Sequence, residues 1–198
     1  MKKILAALLM FGVFFMVGEN FASAQGKILV AYFSRTGEEY GVGNITKGNT
    51  AILAEIIAKQ TGGDLFEIKT VQSYPTSYDE CTKIASREKA TKARPELSTK
   101  ISNLNDYDTI FIGYPIWYGD APMAIYTFLE SYDFSGKNII PFCTHGGSGL
   151  SSTDQSITLI CPKSKILQGF EMRGKAVRND SEQAEKNVSE WLGKIGMK

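Results

Sequence analysis

The chain has 198 residues, 43% hydrophobic and 22% charged, which is globular composition with enough apolar material for one sizeable core. Its formal net charge is +1 and no long basic or acidic run occurs, which argues against nucleic acid as a partner. A single histidine and the absence of a C-x-x-C pair exclude a usual zinc site, and no Ser-His-Asp arrangement or metal cluster marks a hydrolase.

Lys2 and Lys3 form a positive start, Ile4 to Val17 is an apolar stretch broken only by Gly12, and Ala22-Ser23-Ala24 is a small-x-small site. This pattern is that of a secretory signal peptide over residues 1–24, with Gln25 as the new N-terminus. The apolar run falls short of the about 20 residues that span a bilayer, so no stable membrane insertion is expected after cleavage. No cysteine stands near the cleavage site, and a Lys-Lys pair favours Sec over twin-arginine export, so the expected location is periplasmic or secreted. Cleavage removes Lys2, Lys3 and Glu19 and turns 22 basic and 21 acidic residues into 20 of each. Cys81, Cys143 and Cys161 remain, and the sequence leaves open one disulfide plus a free thiol or three buried thiols.

Residues 25–198 read as one domain of alternating strands and helices. The apolar run Lys27–Phe33 suits a buried strand. Thr50–Gln60 places Ile52, Leu53, Ile56 and Ile57 on one helical face and stops at Gly62-Gly63. There follow a strand at Leu65–Ile68, a helix at Tyr78–Thr91 with Ile84 and Ala85 inward, and a strand at Thr109–Gly113. Pro122–Glu130 is a helix with proline near its start, Asn138–Cys143 a fourth strand, and Ser151–Ile160 a weaker helix. Ile166–Met172 is a fifth strand, and Asp180–Ile195 a helix whose Asp180 and Gln183 have capping-box spacing. This alternation predicts a doubly wound α/β fold with helices on both faces of a parallel sheet. Ligands of such sheets bind beyond the carboxyl ends of the strands, where the strand order reverses.

Three loops at that end are unusual. After the first strand come Ser34-Arg35-Thr36-Gly37 and then Asn49-Thr50 at a helix start. Hydroxyls, an amide and the unpaired N–H groups of a helix suit a phosphate, although the same residues also serve plain helix capping. After the third strand, Pro115-Ile116-Trp117-Tyr118 sits between prolines. Its aromatics either offer a stacking surface to a planar ligand or fold back over the sheet edge. After the fourth strand, Thr144-His145-Gly146-Gly147-Ser148-Gly149 can bring backbone N–H groups close to a ligand. His145 is either structural or near the ligand.

The segments KILVAYFSRTG, GNTAILAEIIA, GGDLFEIKT, YDTIFIGYPIWYGDAP, FLESYDFSGKNIIPFCTHGGSG and VSEWLGKIG together resemble the flavodoxin superfamily, in its order and over nearly the whole chain after residue 24. The resemblance implies a five-stranded sheet of order 2-1-3-4-5 and one bound FMN. It places Ser34, Arg35, Thr36, Asn49 and Thr50 around the phosphate, Pro115 to Tyr118 beside the isoalloxazine, and Thr144 to Gly149 at its pyrimidine end. The switch-point rule was itself framed in part on flavodoxin with FMN, so this placement is not an independent deduction. Residues 38–47 are an insertion relative to short-loop flavodoxins; Glu38 and Glu39 are expected to point outward and Tyr40 to pack on or near the cofactor. Carrier flavodoxins are strongly acidic, whereas this chain is neutral after cleavage, and THGGSG has no aromatic to cover the second flavin face. Both points lean towards an FMN-dependent reductase with a small-molecule or protein redox partner, the alternative being a flavin or phosphorylated-ligand binding module without turnover.

Overall fold

The computed structural model describes residues 26–198; the expected signal peptide over residues 1–24 lies outside the described residues. Among the described residues no helix is long and apolar enough to cross a membrane.

The chain runs β1 (Lys27–Tyr32), β2 (Gly37–Glu39), β3 (Gly43–Ile45), α1 (Asn49–Thr61), β4 (Asp64–Glu67) and α2 (Tyr78–Thr91). It continues through a single 3-10 turn into β5 (Tyr107–Pro115), α3 (Met123–Glu130), β6 (Asn138–His145), α4 (Thr153–Ile160), β7 (Lys165–Ile166), β8 (Phe170–Arg173), α5 (Gly174–Asn179) and α6 (Ser181–Lys194). The main sheet is parallel, in the order β4-β1-β5-β6, with β7 and then β8 on the outer edge of β6. That is the expected order 2-1-3-4-5 with one difference: the fifth strand is split. Leu167 N–H donates to the Ile139 carbonyl at 2.9 Å, and the next ladder bond would need an N–H from residue 141, which is proline. The ladder therefore breaks at 167–169 and resumes at Phe170 opposite Phe142.

Alternation along the strands sorts the core into two layers. Leu29, Ala31, Ile110, Ile112, Tyr114 and Ile139 face one side, with α3 and α4 packed there through Ile125, Phe128 and Ile157. Ile28, Val30, Phe111, Ile140 and Phe142 face the other, against Leu53 and Ile57 of α1 and Val188, Trp191 and Leu192 of α6. Strands buried on both faces account for the near-continuous apolar runs seen in the sequence. Helix ends follow the local signals. Gly62 closes α1 in the left-handed region at φ 69°, and Pro122 precedes α3. Asp180 Oδ1 accepts from Gln183 N–H at 2.9 Å, but the Gln183 side chain turns to Asn187 instead of reciprocating. The short hairpin β2–β3 and α5 were not foreseen; both are too short to carry a periodic pattern. All three cysteines are buried free thiols.

Gly113 lies near the carboxyl end of β5, where a Cβ would stand 2.1 Å from the Phe142 ring. Gly113→Ala is expected to lower stability by about 1–3 kcal/mol through overpacking, read as a shift of the urea midpoint without change of slope.

Candidate functional site

At the carboxyl end of the sheet lies a cavity of about 580 Å³, within the size range of small-molecule sites. Its walls come from the ends of β1, β5, β6 and β8, from the hairpin β2–β3, and from the first turns of α2. The three loops singled out in the sequence do converge here, but their residues take different parts.

Ser34 Oγ accepts from Ala51 N–H at 3.1 Å and so caps α1, whose own N-cap residue is Gly48. Gly48 is required there, since a Cβ would stand 2.0 Å from Ser34 Oγ. Asn49 lines the cavity, and its Oδ1 accepts from Arg178 Nε at 3.0 Å. Asn49 and Thr50 carry the first N–H groups of α1, which have no intrahelical acceptor by position. The Thr50 and Thr144 hydroxyls share a buried hydrogen bond of 2.8 Å that ties α1 to β6. Thr36 is exposed and does not line the cavity.

Arg35 departs from a solvated loop residue: it is only 8% exposed. Its Nη1 donates to the carbonyls of Pro75 at 2.8 Å and Thr76 at 3.2 Å, its Nη2 donates to the carbonyl of Glu38, and Nη2 also pairs with Glu39 Oε1 at 3.2 Å. The guanidinium thus staples the hairpin to the loop before α2. Glu38 is exposed as expected and accepts from Tyr78 N–H at 2.9 Å. Glu39 is a correction: it turns inward and lines the cavity. A buried guanidinium needs a counter-charge nearby, and Glu39 is the carboxylate that the hairpin register brings to it. Burial raises the Glu39 carboxyl above the usual carboxylate range, and Arg35 only partly opposes this. Tyr40 stands at the mouth, 73% exposed, with its ring 6.2 Å from that of Tyr78.

Pro115, Ile116, Trp117 and Tyr118 all line the cavity. The two aromatics differ. Trp117 folds back on the core, edge-on to Phe33 at 5.5 Å and Tyr74 at 5.0 Å between ring centroids. Tyr118 is 56% exposed. It and Gly119 form a tight turn closed by Trp117 N–H to Asp120 carbonyl at 2.8 Å and Asp120 N–H to Trp117 carbonyl at 3.0 Å, with φ of 51° and 72°. Positive φ at both central residues is the type I′ turn, which Asn-Gly favours; a tyrosine there is strained.

On the third loop Thr144, His145 and Gly146 line the cavity, whereas Gly147, Ser148 and Gly149 do not. Gly149 instead gives its carbonyl to the Cys143 thiol at 3.6 Å. The His145 side chain is 4% exposed, with Nε2 paired to Glu171 Oε2. Residues not foreseen are Gly41 and Val42 of the hairpin turn, Tyr78, Cys81, Thr82 and Ala85 of α2, and Arg173, Gly174 and Lys175 where β8 ends and α5 starts. The last three obey the carboxyl-end rule, and their place at the end of the fifth strand is the signal that marks them. The α2 residues carry no sequence signal for a site. Burial lifts the Cys81 thiol to about 11, so it is protonated and unreactive at neutral pH.

The flavodoxin family model matches residues 27–195. The chain belongs to the flavodoxin family. Among solved structures it is similar to a candidate flavoprotein from Bacteroides eggerthii, at 35% identity over 87% of this chain and 99% of that one, with a TM-score of 0.70. A second, from Bacteroides uniformis, gives 34% identity, 85% and 98% coverage and a TM-score of 0.69. A flavoprotein from Lactobacillus acidophilus, solved in complex with FMN, shares the fold at 22% identity, 79% and 99% coverage and a TM-score of 0.61. No curated protein matches the chain.

The turn at Tyr118 gives a direct test of strain held at the site. Tyr118→Asn is expected to stabilise the flavin-free protein by about 1 kcal/mol, the cost of a left-handed non-glycine residue, measured by urea unfolding.

Proposed function

We propose that the protein holds one FMN in the switch-point cavity and uses it for electron exchange with a partner outside the cytoplasm. One observation carries this reading: the cavity is lined both by an aromatic and apolar loop and by cations. Trp117, Tyr118, Pro115 and Ile116 form the apolar loop. Arg173, Lys175 and Arg35, the last paired to Glu39, also line it, as does Asn49 from the first turn of α1. A flat, largely apolar ring system with a phosphorylated tail has that distribution of chemistry. Family membership and the FMN complex of the Lactobacillus acidophilus fold relative support the same cofactor.

Bound FMN would supply reversible one- and two-electron transfer. The chain supplies the rest. Trp117 is held rigid by Phe33 and Tyr74, and Ile116 N–H donates to the Thr144 carbonyl at 2.8 Å, so the second and third loops move as one wall. Asn49 is oriented by Arg178 and presents α1's first turn to the tail. Tyr40 and Tyr118 stay exposed at the mouth, where a planar oxidant or reductant has room to stack. A neutral chain after cleavage, with 20 basic and 20 acidic residues, lacks the acidic surface that steers a carrier to basic partners. These features favour a reductase of a small planar acceptor over a protein-to-protein carrier. Export itself rests on the charge, apolar and small-residue pattern of residues 1–24.

The protein starting at Gln25, mixed with FMN, is expected to take up one equivalent and to show a flavin absorption band that dithionite bleaches. Turnover of NAD(P)H or another donor with an added quinone supports the reductase reading. A protein that takes up no flavin overturns the FMN reading. Tyr118→Ala is expected to weaken FMN binding roughly tenfold, measured by flavin fluorescence quenching. For export, mass spectrometry of protein recovered outside the cytoplasm is expected to find Gln25 at the N-terminus; an intact Met1 there, or retention in the cytoplasm, would sink that part.

A further inference from the structure

Arg35 is a buried cation whose position is set before any ligand arrives. Three carbonyls, those of Pro75, Thr76 and Glu38, orient its guanidinium, but carbonyls do not neutralise its charge. The neutralising group is Glu39, one residue further along the inserted hairpin, through Oε1 at 3.2 Å. Glu39 lines the same cavity as Asn49, at the start of α1, where a phosphate has the free helix N–H groups to meet. Resting on the FMN reading above, we propose that Glu39 is a stand-in anion: its carboxylate holds on Arg35 the place that the phosphate of FMN takes, so that binding exchanges one anion for the other.

The reason is charge balance. A buried guanidinium left without an anion is strongly unfavourable, so the flavin-free protein needs a carboxylate there. A carboxylate and a phosphate carrying about −1.5 to −2 charge repel at short range, so the phosphate binds the guanidinium more weakly while the carboxylate holds it. The hairpin is suited to give way. It contains only two short strands, it makes a two-stranded sheet separate from the main one, and Gly41 lies within its turn with Gly43 at the start of β3. The consequence is selectivity: the carboxylate taxes binding of the phosphorylated flavin but not of riboflavin, which carries no phosphate.

The charged and titratable groups around Glu39 are Arg35 on the connection from β1, Arg178 on α5, and Tyr78 and Cys81 on α2. Tyr78 and Cys81 are both raised by burial and are neutral at pH 7, so only the two arginines act on the carboxylate as charges. Protonation of Glu39 therefore removes the stand-in. Its carboxyl titrates above the ordinary carboxylate range, so the tax on FMN is present at neutral pH and is lost as pH falls through that raised value. The second ionisation of the phosphate, near 6, works in the opposite direction, and the difference between the wild type and a Glu39 variant isolates the carboxylate.

The test is Glu39→Gln, which keeps the shape and removes the charge, with FMN and riboflavin titrated against flavin-free protein by fluorescence quenching between pH 5 and pH 8. At pH 7–8 the variant is expected to bind FMN roughly tenfold more tightly than the wild type and riboflavin within about twofold. On acidification the wild type is expected to converge on the variant. The flavin-free variant is expected to melt lower than the wild type, and added FMN to raise its melting temperature by more. FMN affinity equal to or weaker than the wild type, or the same factor for FMN and riboflavin, overturns the stand-in while leaving FMN binding intact. Failure of both proteins to bind either flavin overturns the FMN reading itself, and this proposal with it.

Discussion

Where β1 ends, its backbone is shared between two neighbours. The Tyr32 carbonyl accepts from Ile68 N–H at 2.7 Å beyond β4, and Phe33 N–H donates to the Gly113 carbonyl at 2.8 Å on β5. From that point the chain must leave in one direction towards α1 while β5 continues in the other. Right-handed crossovers put α1 and α6 on one face and α2, α3 and α4 on the opposite face, so no helix covers the divide. The cavity is the direct result, and apart from the α2 residues its lining is made of loops and element ends that the divide leaves uncovered.

Around this opening the fold accepts several local costs. Tyr118 occupies a turn position better suited to asparagine, Arg35 is buried with its charge, and Glu39 is drawn inward against desolvation. The core beneath buries no charge: β1, β5 and β6 place Leu29, Ile110, Phe111, Ile139 and Phe142 on one face or the other, and the register shift between β1 and β5 falls at Lys27/Ile28, away from the site. The contrast places rigidity in the sheet and adaptability in the hairpin, which is held to the loop before α2 by the Arg35 staple and the Glu38 N–H bond to the Thr76 carbonyl at 2.8 Å, and to α2 by the Glu38 carboxylate on Tyr78 N–H.

Much of the fold was readable in chain order because the elements are long enough to show periodicity. The helix at Tyr78–Thr91 has the predicted bounds, and α1, β5, β6 and α6 differ from expectation by three residues at most at either end. The fifth strand is expected as one element over Ile166–Met172, a segment interrupted only by Gln168-Gly169 and Glu171; the break comes from Pro141, which belongs to a different strand. Among the site residues, Asn49, Pro115 to Tyr118 and Thr144 to Gly146 line the cavity as the loops implied. Ser34 and Thr50 are expected as phosphate donors; the Ser34 oxygen accepts from Ala51 N–H, which leaves its O–H free to donate, whereas the Thr50 hydroxyl is shared with Thr144. A hydroxyl beside a helix start has two uses, and only the neighbouring atoms decide between them.

Local chemistry therefore settled the order of strands and helices, the position of the three loops and the family, because hydrophobic period, glycines and prolines act over a few residues. It did not settle the direction of Glu39 or the burial of Arg35. Both depend on carbonyls at Pro75 and Thr76, some forty residues away, and on a hairpin register that places the carboxylate against the guanidinium. Charges interact through space and not along the chain, so the electrostatic character of the site was decided only when the fold brought β1, the hairpin and α2 together.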